Sequence, residues 1–273
     1  MAKQRLDTLL VELNLCESRQ LAQRLIRAGE VKVQQRIVDK PGTLIPLDAD
    51  IEVKARPPFV SRGGEKLAKA IAHFQISIGD RVCLDGGIST GGFTDCLFQA
   101  GAKKVYGIDV GYGQVAWKIR QDPRLILRER TNFRHLTPAD LYQEDGDRPD
   151  LGVMDLSFIS LKKVLPTLWT LLTDPKEVVL LIKPQFEVGR AHVGKKGVVR
   201  DPLAQAQAIL DVLTTAQTLG WQPQGLTWSP LTGPAGNIEY LLWLSTAPAH
   251  VQLTPESVQD LTKTAMANLH KTT

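Results

Sequence analysis

From residue 61 onward, short apolar runs alternate with amphipathic stretches in a regular order. RVCLDG, KKVYGIDV, LILRE, DLGVMDLS and EVVLLIKP read as strands. TDCLFQAG, QVAWKIR, a short segment near LTPADLY, LKKVLPTLWTLL and DPLAQAQAILDVLTTAQTLG read as the helices that follow them, and EKLAKAIAHF as a helix ahead of the set. Five strand–helix units in succession constrain the chain to an α/β fold. The sheet is mostly parallel with helices on both faces, because each crossover must return over one face. QPQGLTWSP and NIEYLLWLS have no helix between them and are expected to form an antiparallel pair at one edge.

Residues 1–56 form a separate unit. Leu6, Leu9, Leu10 and Leu13 repeat at helical spacing. Ser18 can cap a second helix, SRQLAQRLIRAG, which Gly29 ends. VKVQQRIV alternates like one strand, DKPG signals a turn, and IPLDADIEVKA completes a small sheet. ARPPFV reads as a stiff linker, so the organisation expected is 1–56, a linker at 57–62, a large domain over 63–246 and a tail over 247–273 with one helix from Thr254–Pro255. The net charge is +4, and residues 1–56 hold half of it, with ten Lys+Arg against eight Asp+Glu. No run approaches the roughly 18 to 20 apolar residues that span a membrane. The start, MAKQRLDTLL, lacks the apolar core of a signal peptide. Cys16, Cys83 and Cys96 share no metal-like spacing, and so sparse a set suggests free thiols in a reducing compartment. A soluble, cytoplasmic protein without metal is expected.

DGGISTGGFTD, Asp85 to Asp95, follows the first strand of the large domain and opens a helix, where open parallel sheets bind ligands. A glycine turn without ligand is the plain alternative. Gly86, Gly87, Gly91 and Gly92 lack the G-x-G-x-x-G spacing of dinucleotide loops, and no G-K-[ST] follows for a phosphate loop. GISTG matches the nucleophile elbow of hydrolases. Neither His192, in a basic loop, nor His250, in the tail, is placed to serve that serine. S-adenosylmethionine remains. Asp85 can take its amine, backbone N–H groups of the turn its carboxylate, Asp109 its ribose hydroxyls, and Asn132 its adenine edge. The lesser role for Asp109 is to cap its own turn.

VVLLIKP places Lys183 at the end of a strand buried on both faces, and lysine heads are rarely buried unless paired. Asp155 ends the neighbouring strand in VMDLSF. Glu239 starts an apolar strand in GNIEYLL. Lys66 lies in the first turn of a helix in SRGGEKL. Singly, each reads as a surface charge. Together, at strand and helix ends, they can line one cleft.

These residues carry a resemblance. The large domain resembles FtsJ-type RNA 2'-O-ribose methyltransferases, and Lys66, Asp155, Lys183 and Glu239 occur in the order of that family's Lys–Asp–Lys–Glu tetrad. The chain from residue 5 to about 245 resembles the TlyA family, hemolysin A-like proteins that methylate ribosomal RNA. SRGGEKL, DGGISTGGFTD, VYGIDVG, RTNFRHL, DLSFISL, LIKPQFEVG, GVVRD and GNIEYL are the matching stretches. One departure is Gly86–Gly87–Ile88 in place of Val–Gly–Ser, an extra glycine expected to loosen the loop. The resemblance implies a Rossmann-like S-adenosylmethionine-dependent methyltransferase sheet behind a small α+β S4-type RNA-binding domain. Gly86, Gly87, Ser89, Thr90, Gly91, Val110 and Asp155 would join Asp85, Asp109 and Asn132 around the cofactor.

For the reaction, attack of a ribose 2'-oxygen on a sulfonium methyl, Lys183 would be the base. A lysine serves in that role where burial and nearby cations disfavour its charged form. Asp155 would orient it, Lys66 would hold the 2'-oxygen, and Glu239 would position Lys66 or the ribose. Arg5, Arg19, Arg24, Arg27 and Lys32 of the small domain suit A-form phosphates and 2'-hydroxyls. Arg62 and the loop residues Arg190, Lys195 and Lys196 would extend that surface to ribosomal RNA or ribosomal subunits. A solvated helix face is the alternative for the small domain, and a mobile loop for residues 189–201. The chain is expected to be monomeric. The competing functions are a membrane-lytic protein, which the older family name suggests, and an RNA-binding protein with an inactive methyltransferase fold.

Overall fold

A computed structural model describes residues 2–54, 57–142 and 146–269. Ala55 and Arg56, read above as the start of the linker, and residues 270–273 of the tail lie outside the described residues. The chain divides into two compact units, Met1–Pro57 and Pro58–Thr273.

In the first unit, strand β1 (Lys3–Arg5) runs into helix α1 (Leu6–Glu12). Helix α2 (Arg19–Arg27) follows, then strands β2 (Val31–Val33), β3 (Arg36–Ile37), β4 (Leu44–Pro46) and β5 (Ile51–Val53). Leu6, Leu9 and Leu10 of α1 pack with Ala22, Leu25 and Ile26 of α2 over Val31, Val33 and Ile45. The expected cap holds: the Leu21 N–H donates to Ser18 Oγ at 3.3 Å, and Gly29 leaves the helix at φ +71°. The single strand expected over VKVQQRIV is instead a hairpin. Gln34 and Gln35 both take left-handed backbone (φ +48° and +65°), and Val33 pairs with Arg36. That turn geometry usually draws Asn or Gly, so two glutamines gave no sign of it. The strands fall into two small sheets, β1–β4 and β3–β2–β5.

The second unit opens with α3 (Gly63–Phe74). There follow β6 (Val82–Gly86), α4 (Gly92–Gln99), β7 (Lys104–Ile108), α5 (Trp117–Arg120), β8 (Leu125–Arg128), α6 (Pro138–Leu141), β9 (Leu151–Met154) and α7 (Leu165–Leu171). The chain closes with β10 (Glu177–Ile182), α8 (Pro184–Glu187), α9 (Pro202–Leu219), β11 (Gln222–Trp228), β12 (Tyr240–Ser245) and α10 (Pro255–Leu269). Seven strands form one sheet in the order β11–β12–β10–β9–β6–β7–β8. β12 runs antiparallel to β10 and β11, and the pairs from β10 to β8 are parallel. The expected antiparallel pair is present, but β12 lies inside the sheet and β11 takes the edge. Tyr240, Leu241, Leu242 and Leu244 are buried, and a strand apolar on both faces gains most from a neighbour on each side.

β10 shows why the sheet needs two layers of helix. Val178, Leu180 and Ile182 enter one apolar core, while Val179 and Leu181 enter the other. The tail helix α10 packs on α9, buries Val258 and Ala265, and its Thr262 hydroxyl donates to the Pro202 carbonyl at 2.9 Å. The chain leaves β6 toward β7 and β8 on one side and returns as β9 and β10 on the other. The carboxyl ends of β6 and β9 therefore flank the switch point where such sheets hold ligands.

Candidate active site

The glycine loop stands at that switch point. Gly87 has φ +86°, and a Cβ there would come within 2.7 Å of the Asp155 carbonyl oxygen. Only glycine lets β6 turn this close to the end of β9. Gly91, at φ +96°, precedes α4, which starts without a side-chain cap. Gly86 is different: it is the last residue of β6, in register with Ile108 and Met154. A Cβ there would meet Met154 at 2.6 Å and Phe133 at 3.1 Å. The extra glycine makes room for Met154 inside the strand rather than standing in the turn itself.

Asp85 lies fully buried beneath the loop. Its Oδ2 accepts from Thr94 Oγ1 at 2.7 Å, while its Oδ1 has no hydrogen-bond partner among the described residues. Burial pushes its carboxyl up to about 7. Asp109 Oδ2 accepts from the Ser89 N–H at 2.8 Å and Oδ1 from the Gly111 N–H at 2.7 Å. It caps its own turn and the glycine loop together, and it lines a cavity of about 330 Å³ with Val110, Phe133 and Ser157. Asn132 is not in that lining, although Thr131 and Phe133 are. Its side-chain oxygen accepts from the Arg134 N–H instead. A second cavity, of about 410 Å³, lies along Ser61, Arg62, Lys66, Thr90 and Phe93. The two share Gly87, Ser89 and Asp155 as a common wall.

The four charges singled out above form two ion pairs. Lys66 Nζ, on the first turn of α3, meets Glu239 Oε2 at 2.5 Å, with both side chains nearly fully buried. Lys183 Nζ lies 2.7 Å from Asp155 Oδ1. β9 and β10 are adjacent and parallel, so residues just past their ends meet. Lys66 and Asp155 line the same cavity, which brings both pairs to it. Each buried ammonium has a carboxylate, as desolvation demands. Close packing holds α3 there: a Cβ on Gly92 would overlap Ser61 Oγ and approach the Gly64 amide at 2.9 Å.

Residues 59–246 match the family model for FtsJ-like methyltransferases, and residues 4–51 match that for S4 domains. The chain is 48% identical over 244 residues to the 16S/23S rRNA (cytidine-2'-O)-methyltransferase TlyA of Mycobacterium tuberculosis, covering 89% of this chain and 90% of that protein. The chain belongs to the TlyA family of FtsJ-like methyltransferases. It is also 49% identical over 243 residues to YqxC of Bacillus subtilis, described as a candidate rRNA methyltransferase, covering 89% of this chain and 85% of the relative. A solved structure from Streptococcus thermophilus, described as a candidate hemolysin, aligns with a TM-score of 0.74 at 39% identity over 100% of this chain and 98% of that one. Among the described residues no helix is long and apolar enough to cross a membrane, and no group of three or more His, Cys, Asp or Glu side chains suits a metal ion.

In this TlyA-family chain the S4 unit carries its cations in two ways. Arg24, Arg27 and Lys32 are exposed. Arg24 and Arg27 make no ion pair among the described residues, and Lys32 reaches Glu52 at 3.8 Å. Arg5 and Arg19 converge on the buried Asp7. Arg5 Nε and Nη2 each donate to it at 3.0 Å, as does Arg19 Nε, and Gln23 Nε2 adds a fourth bond at 2.8 Å. The Arg5 hydrogen bond, with help from Gln23 and Arg19, holds the Asp7 carboxyl well below the usual range. Arg19 braces α2 against α1 and Arg5 ties the end of β1 to it, while both heads stay about half exposed.

In the methyltransferase unit, Arg62 lines the larger cavity and donates to the Thr232 carbonyl at 2.7 Å. Arg190, Lys195 and Lys196 are exposed on the segment between α8 and α9. Sequence reasoning passed over Thr94, Ser157 and Phe158. Thr94 and Ser157 are ordinary hydroxyls until the fold aims them at Asp85 and Lys183. Phe158 is almost fully exposed at the cavity edge, where an aromatic within an apolar run reads as core.

Proposed function

We propose that this chain transfers a methyl group from S-adenosylmethionine to the ribose 2'-hydroxyl of a cytidine in ribosomal RNA. The observation that carries the reading is the pair of buried ion pairs, Lys66–Glu239 and Lys183–Asp155, brought to a glycine-loop cavity at the sheet's switch point. Three features suit the donor. Asp85 Oδ1, beneath the glycine loop and without a hydrogen-bond partner among the described residues, is an acceptor left for its amine, although Asp85 itself lines neither cavity. The uncapped first turn of α4 offers backbone N–H groups to its carboxylate. Asp109 lines the smaller cavity, and its oxygens, each holding one backbone amide, retain lone pairs for ribose hydroxyls.

When bound, the donor supplies an electrophilic methyl group on a sulfonium, with a neutral thioether as its leaving group. The protein's residues do the rest. Lys183, once its ammonium has released a proton to water, accepts the 2'-hydroxyl proton as the oxygen–carbon bond forms, and Asp155 holds the ammonium so regenerated at the end of β10. Lys66, fixed by Glu239, stabilises the charge developing on the 2'-oxygen. Because the donor already carries a good leaving group, alignment within the cavity contributes most of the acceleration. The S4 cations, Arg62 and the 190–196 segment hold the RNA through phosphates. A ribosomal RNA substrate places the protein in the cytoplasm, and we take the monomer as its acting form, which light scattering of the free protein checks.

The deciding experiment incubates the protein with labelled S-adenosylmethionine and isolated ribosomal subunits, then maps alkali-resistant linkages. Label at an alkali-resistant cytidine linkage is expected. Label on a base, or no label in either subunit, defeats the reading. Lys183→Ala is expected to keep donor affinity by calorimetry and lose turnover, and near-normal turnover in that variant removes Lys183 from its role.

A further inference from the structure

The amine of Lys183 is held by two acceptors of different kind. Its one hydrogen bond of ordinary geometry among the described residues goes to Ser157 Oγ, at 2.9 Å. Asp155 Oδ1 is nearer, at 2.7 Å, yet among the described residues it has no partner in hydrogen-bond geometry, so this contact is an ion pair rather than an aligned hydrogen bond. A charge attracts by distance alone, whereas a hydrogen bond is directional. Asp155 therefore keeps the Lys183 head in place without fixing its rotation about the Cε–Nζ bond. Ser157 supplies the missing direction.

The position of Ser157 is built rather than incidental. It follows β9 and lines the smaller cavity. The next residue, Phe158, turns at φ +65°, a strained conformation for an aromatic residue. That turn is clamped to α8, the short helix that Lys183 opens. Buried Glu187 of α8 accepts from Ser160 Oγ at 2.5 Å and from the Leu161 N–H at 2.7 Å. The Phe158 ring, although almost fully exposed, stands beside Phe186 of α8 with ring centroids 5.3 Å apart. The hydroxyl and the amine thus stand on two segments locked to each other.

We propose that Ser157 is a positioning residue for the proton acceptor: its oxygen holds one N–H of Lys183, so that when the ammonium gives up a proton the lone pair left on that nitrogen faces the ribose hydroxyl. The inference rests on the methyl-transfer reading above. Ser157 acts through Lys183, so its loss lowers the rate of the chemical step and leaves both ligands bound.

The test compares Ser157→Ala, Ser157→Thr and Lys183→Ala with the parent protein, using ribosomal subunits and S-adenosylmethionine. Ser157→Ala is expected to lower kcat about 10- to 100-fold, a fraction of what a general base contributes. Its KM for subunits and its donor Kd stay within about two-fold of the parent, since Ser157 acts only on catalysis. Ser157→Thr, which keeps the hydroxyl, restores most of kcat. A kcat within two-fold of the parent in Ser157→Ala overturns the proposal, as does a loss confined to KM or a Thr variant as slow as the Ala variant. An Ala variant that no longer binds the donor assigns Ser157 to the fold and also overturns it. If the parent protein methylates no subunit, the failure belongs to the methyl-transfer reading. If the parent is active, Lys183→Ala is not, and Ser157→Ala matches the parent, the failure belongs to Ser157 alone.

Discussion

A Cβ at residue 87 would sit against the carbonyl of Asp155, and the backbone there is left-handed. Gly87→Ala is therefore expected to destabilise the large unit by about 1–3 kcal/mol, the usual cost of such backbone strain. It should also abolish donor binding, because relief comes only by moving the loop or the end of β9. Denaturant unfolding and calorimetry check the two effects. Asp85 gives a pH signature. Burial raises its carboxyl to about 7 in the folded chain, against roughly 3.9 when unfolded. Between about pH 4 and 7 the unfolded state has released this proton and the folded state has kept it, so stability falls as pH rises through that window and levels off above it. The slope from this one group is at most about 1.4 kcal/mol per pH unit. In unfolding curves from pH 4 to 8, Asp85→Asn should lack this slope, and identical curves for the two proteins refute it. The glycine and both aspartates were legible in the sequence. That Oδ1 of Asp85 lacks a partner among the described residues was not, because satisfaction of a buried oxygen depends on side chains from other elements.

At the scale of elements, the basic segment before α9 is tied to the start of β12. Asn237, two residues before Glu239, accepts from the Val199 N–H at 2.9 Å and donates to the Gly197 carbonyl at 2.8 Å. Gln205 of α9 donates to the Val199 carbonyl at 2.7 Å and accepts from the Tyr240 hydroxyl at 2.5 Å. Asn237→Ala leaves a buried N–H unpaired, at about 1–3 kcal/mol, and frees the segment bearing Lys195 and Lys196. The expected outcome is weaker subunit binding in filter assays with unchanged donor affinity; full subunit affinity removes the segment from the RNA surface. In the small unit, Asp7 joins α1 to α2 through Arg19 and Gln23, and to the end of β1 through Arg5. Asp7→Ala should cost the unit about 1.5–3 kcal/mol, the range for lost hydrogen bonds to a charged group, because the two arginines left behind are half exposed and regain water; limited proteolysis would then cut within residues 1–57 before the large unit. Helix periodicity announced α1 and α2. The hairpin at Gln34–Gln35 stayed hidden, since neither turn residue advertises left-handed backbone.

For the whole molecule, the two units have separate apolar cores. Residues 58–273 alone are expected to fold and to bind the donor as the full chain does, while subunit affinity falls and its salt dependence flattens as phosphate contacts are lost. Calorimetry and salt-dependent subunit binding check this, and a fragment binding subunits as tightly as the full chain refutes an RNA-holding role for the S4 unit. Alternating strand and helix periods determined the α/β class from sequence alone, because those periods are written in neighbours a few residues apart. The glycine loop and the strand-end positions of Asp155 and Lys183 were legible for the same reason. Only the tertiary structure decided that β12 enters the sheet beside β10, that Lys66 meets Glu239 from 173 residues away, and that Ser157 accepts a hydrogen bond from the amine of Lys183. Strand order and side-chain direction arise from packing between distant segments, and a local pattern carries no record of which distant segment will be the partner.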